Sequence, residues 1–545
     1  MTPSTLFTAG NTPDAPRSDL PGLVRALAED LAALGYTVDG VAGLLGDAAH
    51  AALGRDQLVP ALIATEAAAR STPATAALAA VVRLWLLAEP QPAGTLDAAL
   101  PGIRTEGLLR LGLVEPATGG QLQAKADLRP YGWDPTVEDD GTASGGADLW
   151  VASDLAAHQR PGVLRHDHVL GIGQASTTLV QVTARRHVAR ALDLGTGCGI
   201  QSFHLLHHAE HVTATDISER ALAFARFNLV LNAVALHLDP AELESRVSLR
   251  LGSLLEPVAG EEFDLVVSNP PFVITPRGAG DSAAEQFTYR DGGLPGDDIV
   301  ANLVRDLPSV LRRRGTAQLL GNWEIPAGTA WADRPQGWAG PDLDVWFIQR
   351  EQVSPEQYAE TWLQDASEAR DRRHYQDSYA AYLADFAARN VEAIGFGMIW
   401  LRRPAPGARP VISRFEEITY PIEQPVGPHL AAAVERADWL EGNDLEPAHL
   451  LVAEDVTEER HQRPGAEHPG VILLRQGAGL RRTNLLSTEL AGFVSACDGE
   501  LSVGQIIGAL DALLGGFEGY DGGAFRERLL HEVGNLVRDG FLLPA

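Results

Sequence analysis

Cysteine is nearly absent from this 545-residue chain: Cys198 and Cys497 are the only two, which excludes a disulfide framework and a four-cysteine zinc site. Lysine is rarer still, with Lys125 alone, so arginine carries almost every positive charge. Positive charge is itself short: 43 basic against 72 acidic side chains leave a net charge of −29, which argues against a broad basic surface for nucleic acid. No apolar run reaches the roughly 18 residues that would cross a bilayer. The opening MTPSTLFTAGNTPDAPRSD lacks the basic-then-apolar pattern of a secretory leader. What remains is an ordinary globular composition, 45 % hydrophobic and 21 % charged, long enough for three or four domains of about 150 residues. These features predict a cytoplasmic, multi-domain protein.

Residues 1–18, rich in Thr, Pro, Ser and Asp, predict a loose tail. From Leu20 to Leu87 apolar residues recur three and four apart, as in Leu23, Leu27, Leu31 and Leu34, and prolines cut the segment into several helices. A short helix over 105–113 and two extended stretches around Gly119-Gly120 follow. Helices and then a hairpin are the pattern of a winged-helix unit, so 19–147 is expected to be a mainly helical N-terminal domain. A Gly-Thr-Ala-Ser-Gly-Gly linker (141–146) closes it.

From about residue 150 the rhythm becomes apolar strand, glycine-rich turn, helix. Ala191–Leu194, His211–Thr215, Phe263–Ser268 and Thr316–Asn322 predict short buried strands. Strands alternating with helices imply a parallel sheet covered on both faces. Two later β-rich runs, Asp344–Gln349 and Phe396–Arg402, flank a polar helical insertion at about 354–392.

The strongest local signal is Ala191-Leu192-Asp193-Leu194-Gly195-Thr196-Gly197-Cys198-Gly199-Ile200: a strand, three glycines at alternate positions, then a helix. Such glycines permit a tight turn and let a ligand lie against bare main chain. The next strand ends in Asp216-Ile217, where an acid can accept both hydroxyls of a ribose. The loop is D-x-G-x-G-x-G rather than G-x-G-x-x-G, which favours an adenosine ligand with an amino-acid tail over a dinucleotide. It resembles the class I methyltransferases that use S-adenosylmethionine. The resemblance implies cofactor contacts from Asp193, Gly195, Thr196, Gly197, Cys198, Gly199, Asp216 and Ile217. A nucleophilic role for Cys198 is not expected, because a small residue is required between two glycines.

A second signal stands about 70 residues on. The strand Phe263–Ser268 runs into Asn269-Pro270-Pro271-Phe272. Two prolines stop the strand and stiffen the turn. That turn can hold the Asn269 side-chain oxygen and the Pro270 carbonyl as two fixed acceptors, a match for the two hydrogens of a planar NH2 group. Gripping both places the nitrogen beside a methyl donor and favours its pyramidalisation as the bond forms. Phe272 can stack on a flat base or amide. N-P-P-[FYW] is the signature of methyltransferases acting on amino nitrogens of nucleobases and on the glutamine side chain of release factors. The resemblance covers about 160–325 and extends to about 405, and it assigns Asn269, Pro270, Pro271 and Phe272 as the catalytic residues. The expected fold is α/β, a Rossmann-like seven-stranded methyltransferase sheet over 150–425. It is flanked by the helical N-terminal domain and by a small α+β winged-helix-like C-terminal domain at 430–545.

Where many relatives carry Gly-Asp-Leu/Ala between strands three and four, this chain has Gly252-Ser253-Leu254, so Ser253 and Leu254 take the adenine position. Upstream, Gly162-Val163-Leu164 and Val169–Leu179 are similar to the segment before the loop in ribosomal-RNA guanine-N2 methyltransferases, which makes Gln174 and Thr178 candidate cofactor contacts. Downstream, Tyr289–Asp297 looks like the release-factor glutamine methyltransferases. Both groups belong to the "methyltransferase small" branch. The expected partner is a macromolecular substrate, RNA slightly ahead of protein, with no membrane and no metal. An alternative of another class is a non-catalytic scaffold that kept the fold.

Residues 160–320 hold 15 arginines against 18 acids, net −3, while the rest of the chain is net −26. A basic mouth built from Arg277, Arg290 and Arg312–Arg314 is therefore conceivable for RNA, although the reading preferred for 312–314 is a solvated helix end before Gly315. His204, His207, His208 and His211 include i,i+4 pairs but lack a completing carboxylate or cysteine, so helix-surface positions are expected. Trp323, Trp331, Trp338, Trp346 and Trp400 are expected to pack around the late strands. The C-terminal run from Val471, with helices at Ser487–Cys497, Val503–Leu514 and Phe525–Asp539, resembles the PqqD-type peptide-docking modules.

Overall fold

The computed structural model describes residues 6–133, 136–137, 143–144, 146–160, 165–276, 293–365, 372–514 and 521–545. Gly162–Leu164, Arg277 and Tyr289–Gly292, together with much of the 141–146 linker, lie outside the described residues. The chain forms two compact units. One comprises Met1–Val180, His187–Leu343 and Glu351–Pro406; the other comprises Gln181–Arg186, Asp344–Arg350 and Gly407–Ala545.

The first unit is built on a sheet whose strands are β1 (Val188–Leu194), β2 (Ala209–Asp216), β3 (Val247–Leu251), β4 (Phe263–Ser268) and β5 (Leu311–Pro326). Two later strands, β6 (Asp344–Val353) and β7 (Val391–Arg402), follow in sequence. Within this unit the order is β3-β2-β1-β4-β5-β7. All pairs are parallel except β5 with β7, which runs antiparallel from Thr316↔Arg402 to Ile325↔Ala393. The carboxyl-terminal halves of β1 and β4 are buried at every residue, so apolar side chains there do not alternate with exposed polar ones. Of the seven expected strands, six stand in this unit. The seventh, β6, has most of its length in the second unit, where it pairs in parallel with Ser413–Glu417.

Register brings the carboxyl ends of four strands level. Leu194 faces Thr215 on one side and Ser268 on the other, and Leu251 faces Asp216. The connections leave β1 towards one side of the sheet and β4 towards the other, so a crevice opens at this edge. Helices α1 (Gln174–Val182), α2 (Ile200–Leu205) and α3 (Glu219–Leu231) border it. The polar insertion forms α4 (Pro355–Asp365) and α5 (Arg372–Ala388), whose Tyr358, Leu363, Tyr382 and Phe386 pack with Ile274 and Ile394.

The N-terminal part of this unit comprises five helices between Pro21 and Trp85, helices Ala93–Ala99 and Arg104–Leu111, and a three-stranded antiparallel sheet in which Gln121–Ala124 is central. Strand Asp127–Trp133 pairs antiparallel with Ala147–Ser153. Two side chains four residues apart, Asn228 in α3 and Asn232 just past its end, dock that second strand. Asn228 bonds both main-chain groups of Ala152 at 2.8 and 2.9 Å, and Asn232 bonds those of Trp150 at 2.9 and 2.7 Å. Residues 6–18, read from composition as a loose tail, run along this body. The Phe7 amide donates to Leu249 O at 2.8 Å, and Arg220 donates to the carbonyl of Asp14.

Three sequence expectations change. Arg312–Arg314 are not a helix end but the start of β5, where Arg312 pairs with Asp264 at the amino end of the sheet, opposite the crevice. His204 is not a surface residue: it is buried, its Nε2 is 2.7 Å from Tyr131 Oη, and its ring packs 4.2 Å from that of Trp133. His211 sits 3.1 Å from Ser248 Oγ. Among the described residues, no group of three or more His, Cys, Asp or Glu is arranged to hold a metal ion.

In the second unit, Gly427–Gly442 precedes a meander of Val456–His461, Val471–Gln476 and Thr483–Leu486. Asp498–Ser502, His449–Val452 and Leu542–Pro544 form a second antiparallel sheet. Helices Thr488–Val494, Val503–Leu514 and Gly522–Asp539 bury Phe493, Ile507, Val533 and Leu536 into one core. Among the described residues, no helix is long and apolar enough to cross a membrane.

Candidate active site

The glycine loop is fixed from below by Asp193. Its Oδ2 accepts from Thr196 Oγ and from Ser202 Oγ, each at 2.7 Å, while Oδ1 is buried without a partner. Burial raises its carboxyl from the ordinary 3.8 to about 6, against the pull of those two hydroxyls. The amides of Gly195 and Thr196 both donate to Thr215 O at 2.9 Å, and the amide of Gly197 donates to Asp216 Oδ2 at 3.0 Å. Gly195, Gly197 and Gly199 have φ of +77°, +55° and +96°, a region costly for any side chain. At Gly199 a Cβ would meet Ala225 of α3 only at an ordinary contact distance of 3.5 Å, so the demand for glycine there comes from the backbone conformation.

Asp216 accepts a second amide, from Ser218, at 2.8 Å, and burial raises its carboxyl pKa. Two main-chain donors orient the carboxylate while leaving lone pairs for a ligand. Cys198 is buried, its thiol is pushed up to about 12, and its carbonyl accepts from Asn228 Nδ2. That environment suits a packing residue and not a thiolate.

Opposite the loop, Ser268 Oγ donates to Leu194 O at 2.8 Å, locking the end of β4 to the end of β1. Asn269 follows, with its Oδ1 buried and unpartnered. The chain beyond the prolines is held by Tyr358, whose Oη accepts the Ile274 amide at 2.8 Å and Asn322 Nδ2 at 3.0 Å. Phe272 lies edge-on to Trp362 and Phe396, each 6.5 Å away.

A cavity of about 1000 Å³ opens at this edge. Of the residues singled out from sequence, it brings together Gln174, Gly195, Thr196, Gly197, Cys198, Asp216, Ile217, Ser253, Leu254 and Asn269–Phe272. Leu254 is held at φ +45°, a strained position for a leucine, at the cavity rim. Asp193 and Gly199 lie behind the loop, and Thr178, farther along α1, does not reach the lining. Asp56, Asp127, Arg129, Asp154, His158 and His168 also line the cavity, and sequence patterning gave no sign of them. The one available signal, Asp154 and Arg220 as charges in otherwise apolar surroundings, acquires meaning only once they are seen to pair at 2.6 Å.

Comparison with known proteins places residues 154–290 in the methyltransferase small domain, so the chain contains a domain of that family; residues 33–125 match a domain of unknown function. The ribosomal protein uL3 glutamine methyltransferase of Bradyrhizobium diazoefficiens is 33 % identical over 159 residues, 28 % of this chain and 46 % of that protein. The release factor glutamine methyltransferase of Geobacter sulfurreducens is 32 % identical over 28 % of this chain and 51 % of that protein. The ribosomal RNA small subunit methyltransferase C of Alcanivorax borkumensis is 27 % identical over 33 % and 46 %. The chain thus spans about half the length of the relatives it matches. Among solved structures, the Thermus thermophilus 16S rRNA N2 G1207 methyltransferase is 17 % identical, covering 47 % of this chain and 62 % of that one, with a TM-score of 0.23.

Proposed function

We propose that this protein is an S-adenosylmethionine-dependent N-methyltransferase whose acceptor is the planar NH2 of a glutamine side chain in a protein. The observation that carries the reading is Asn269: a buried side-chain oxygen with no partner, on the wall of the cavity that the glycine loop also lines. An unmet buried acceptor costs about 1–3 kcal/mol, which donors of a bound ligand recover.

The residues present fit the cofactor. Gly195 and Gly197 offer bare main chain, Asp216 offers an oriented carboxylate with open lone pairs, and the cavity has room for cofactor and acceptor together. When bound, the cofactor supplies an electrophilic methyl group. Asp216 holds the ribose hydroxyls, Ser253 and Leu254 border the adenine, and Gln174 closes over the open side. Asn269 Oδ1 and the carbonyl of Pro270 accept the two hydrogens of the acceptor nitrogen, and Phe272 flanks its plane. Proton loss follows transfer, so no strong base is required.

Protein is favoured over RNA by the charge of the cavity. Among the described lining residues Arg129 is the sole arginine, and its Nε is already bonded to Asp127 at 2.5 Å, while Arg312 stands at the far end of the sheet. Phosphates would find no free cation among these groups. The two glutamine methyltransferases above exceed the RNA enzyme in identity, which supports the same reading. Such an acceptor, if it belongs to the translation machinery, places the action in the cytoplasm.

The test is transfer of labelled methyl into extract of a strain lacking the gene, followed by digestion. Label released only by protease and recovered as methylglutamine is the expected outcome. Label released by nuclease moves the acceptor to a nucleobase, the reading that the similarity to the RNA enzyme favours. No label in either fraction refutes macromolecular methyl transfer.

A further inference from the structure

One wall of the cavity is built by Asp56, Asp127 and Arg129, which precede the methyltransferase small domain, together with His158 from the start of that domain. Asp127 is 2 % exposed and lies on this wall; its Oδ2 accepts from Arg129 Nε at 2.5 Å, but its Oδ1 is buried with no partner. On the same wall His158 has a buried Nε2 without a partner, while its Nδ1 is 3.4 Å from Asp56 Oδ1. Asp56 is held at φ +58°, an uncommon conformation for a residue with a side chain, and remains largely exposed. The other nearby acid, Asp154, is satisfied by Arg220 at 2.6 and 2.9 Å and by the Val169 amide at 2.8 Å.

Charges on this wall do not balance. Arg129 serves both Asp127 and Asp56, whose other neighbour is His158, and Arg220 offsets Asp154, so with Asp216 the acids lining the cavity outnumber the arginines beside them. The Asp127 carboxylate can only accept, so its free oxygen calls for an N–H or O–H donor from whatever fills the cavity. A donor that is also positively charged meets both demands, the orphaned acceptor and the surplus negative charge.

From this we infer that the wall formed by Asp127, Asp56 and His158 is a substrate subsite that takes a basic side chain, lysine or arginine, of the polypeptide presented for methylation. The inference rests on the protein-glutamine reading above and names a chemical feature of its acceptor. It also gives the N-terminal region a role in substrate choice. Asp56 stands in a turn between two of its helices and Asp127 opens strand Asp127–Trp133, and together they supply the selectivity, whereas the glycine loop and Asn269 supply the reaction. A phosphate backbone on this wall would meet Asp56 and Asp127, with the one arginine already bonded to Asp127 and His158 beside Asp56.

The full-length protein is titrated, by fluorescence anisotropy, with two short labelled peptides that share a central glutamine. One is flanked by arginines and the other by glutamates, and a single-stranded RNA oligonucleotide is the third probe. The arginine peptide is expected to bind at least about tenfold tighter than the glutamate peptide. Asp127→Asn and Asp56→Asn are each expected to remove most of that preference without changing affinity for S-adenosylmethionine. Asp56→Asn keeps the fold testable, because asparagine tolerates the left-handed backbone there better than most residues. Equal binding of the two peptides, or a preference that survives both substitutions, overturns the subsite. Tight RNA binding lost in Asp127→Asn assigns the wall to a base and overturns the polypeptide. These readouts need no methyl transfer, so they stand or fall separately from the labelling experiment.

Discussion

The amide of Gly197 donates to Asp216 Oδ2 at 3.0 Å, which makes the glycine loop and the end of β2 a single piece. The carboxylate therefore has two roles, shaping the loop and, in the proposed reaction, holding the ribose. Asp216→Ala should weaken S-adenosylmethionine binding by about 3 kcal/mol, roughly 150-fold in Kd, because two bonds to a charged acceptor and the loop geometry go together. Asp216→Asn keeps one acceptor oxygen and should lose about tenfold. Calorimetric titration with the cofactor reads both, and an unchanged Kd in the alanine variant removes Asp216 from the site.

Asn269 offers the complementary separation. Its Oδ1 is unmet without an acceptor substrate, so Asn269→Ala should leave cofactor Kd within about twofold while lowering kcat by about 100-fold or more. The loss belongs to kcat because the grip on the nitrogen tightens as it pyramidalises. A variant that still turns over at close to the wild-type rate refutes the assignment.

Much of this site is legible in sequence because its residues are consecutive. The glycine loop, Asp216-Ile217 and Asn269–Phe272 are each a local pattern at the end of an apolar strand, and each falls on the cavity or directly behind it. Long-range partnerships leave no such trace. Asn228 lies in, and Asn232 ends, a helix buried on nearly every side, so no polar face marks them, and their role appears only when strand Ala147–Ser153 lies against them. Asp127 and Asp56 look like ordinary acids in an acidic chain until the fold sets them on the cavity wall. Arg312–Arg314 misled because a run of charges before glycine suits a helix end and the start of a strand equally well, and pairing with Asp264 decides between them.

Asp193 predicts a pH signature. With burial raising its carboxyl to about 6 against 3.8, folded and unfolded chains are both protonated at this group below about pH 4. Between pH 4 and 6 the unfolded chain releases its proton first, so this residue subtracts stability as pH rises. The subtraction reaches about 3 kcal/mol above pH 6. Asp193→Asn removes the titration but keeps one acceptor for Thr196 or Ser202. The stability of the variant relative to wild type should therefore climb between pH 4 and 6.5 and then level off, as read by denaturant melts across that range. A flat difference would mean that the carboxyl does not carry the burial penalty.

Tyr358 lies outside every recognisable motif, yet its Oη accepts the Ile274 amide and Asn322 Nδ2 just beyond the Pro-Pro-Phe turn. Tyr358→Phe keeps the ring packed against Phe396, 5.7 Å away, and deletes only that acceptor. The Ile274 N–H is then buried without a partner, which should lower stability by about 1–3 kcal/mol. If the bond also sets the position of the Asn269–Phe272 turn, kcat should fall by roughly tenfold while cofactor affinity stays put, since a small displacement of a positioning group costs rate before it costs binding. Stability lost with kcat unchanged would assign Tyr358 to the packing of α4 alone; loss of both, with cofactor Kd constant, makes it the residue through which the polar insertion holds the turn in place.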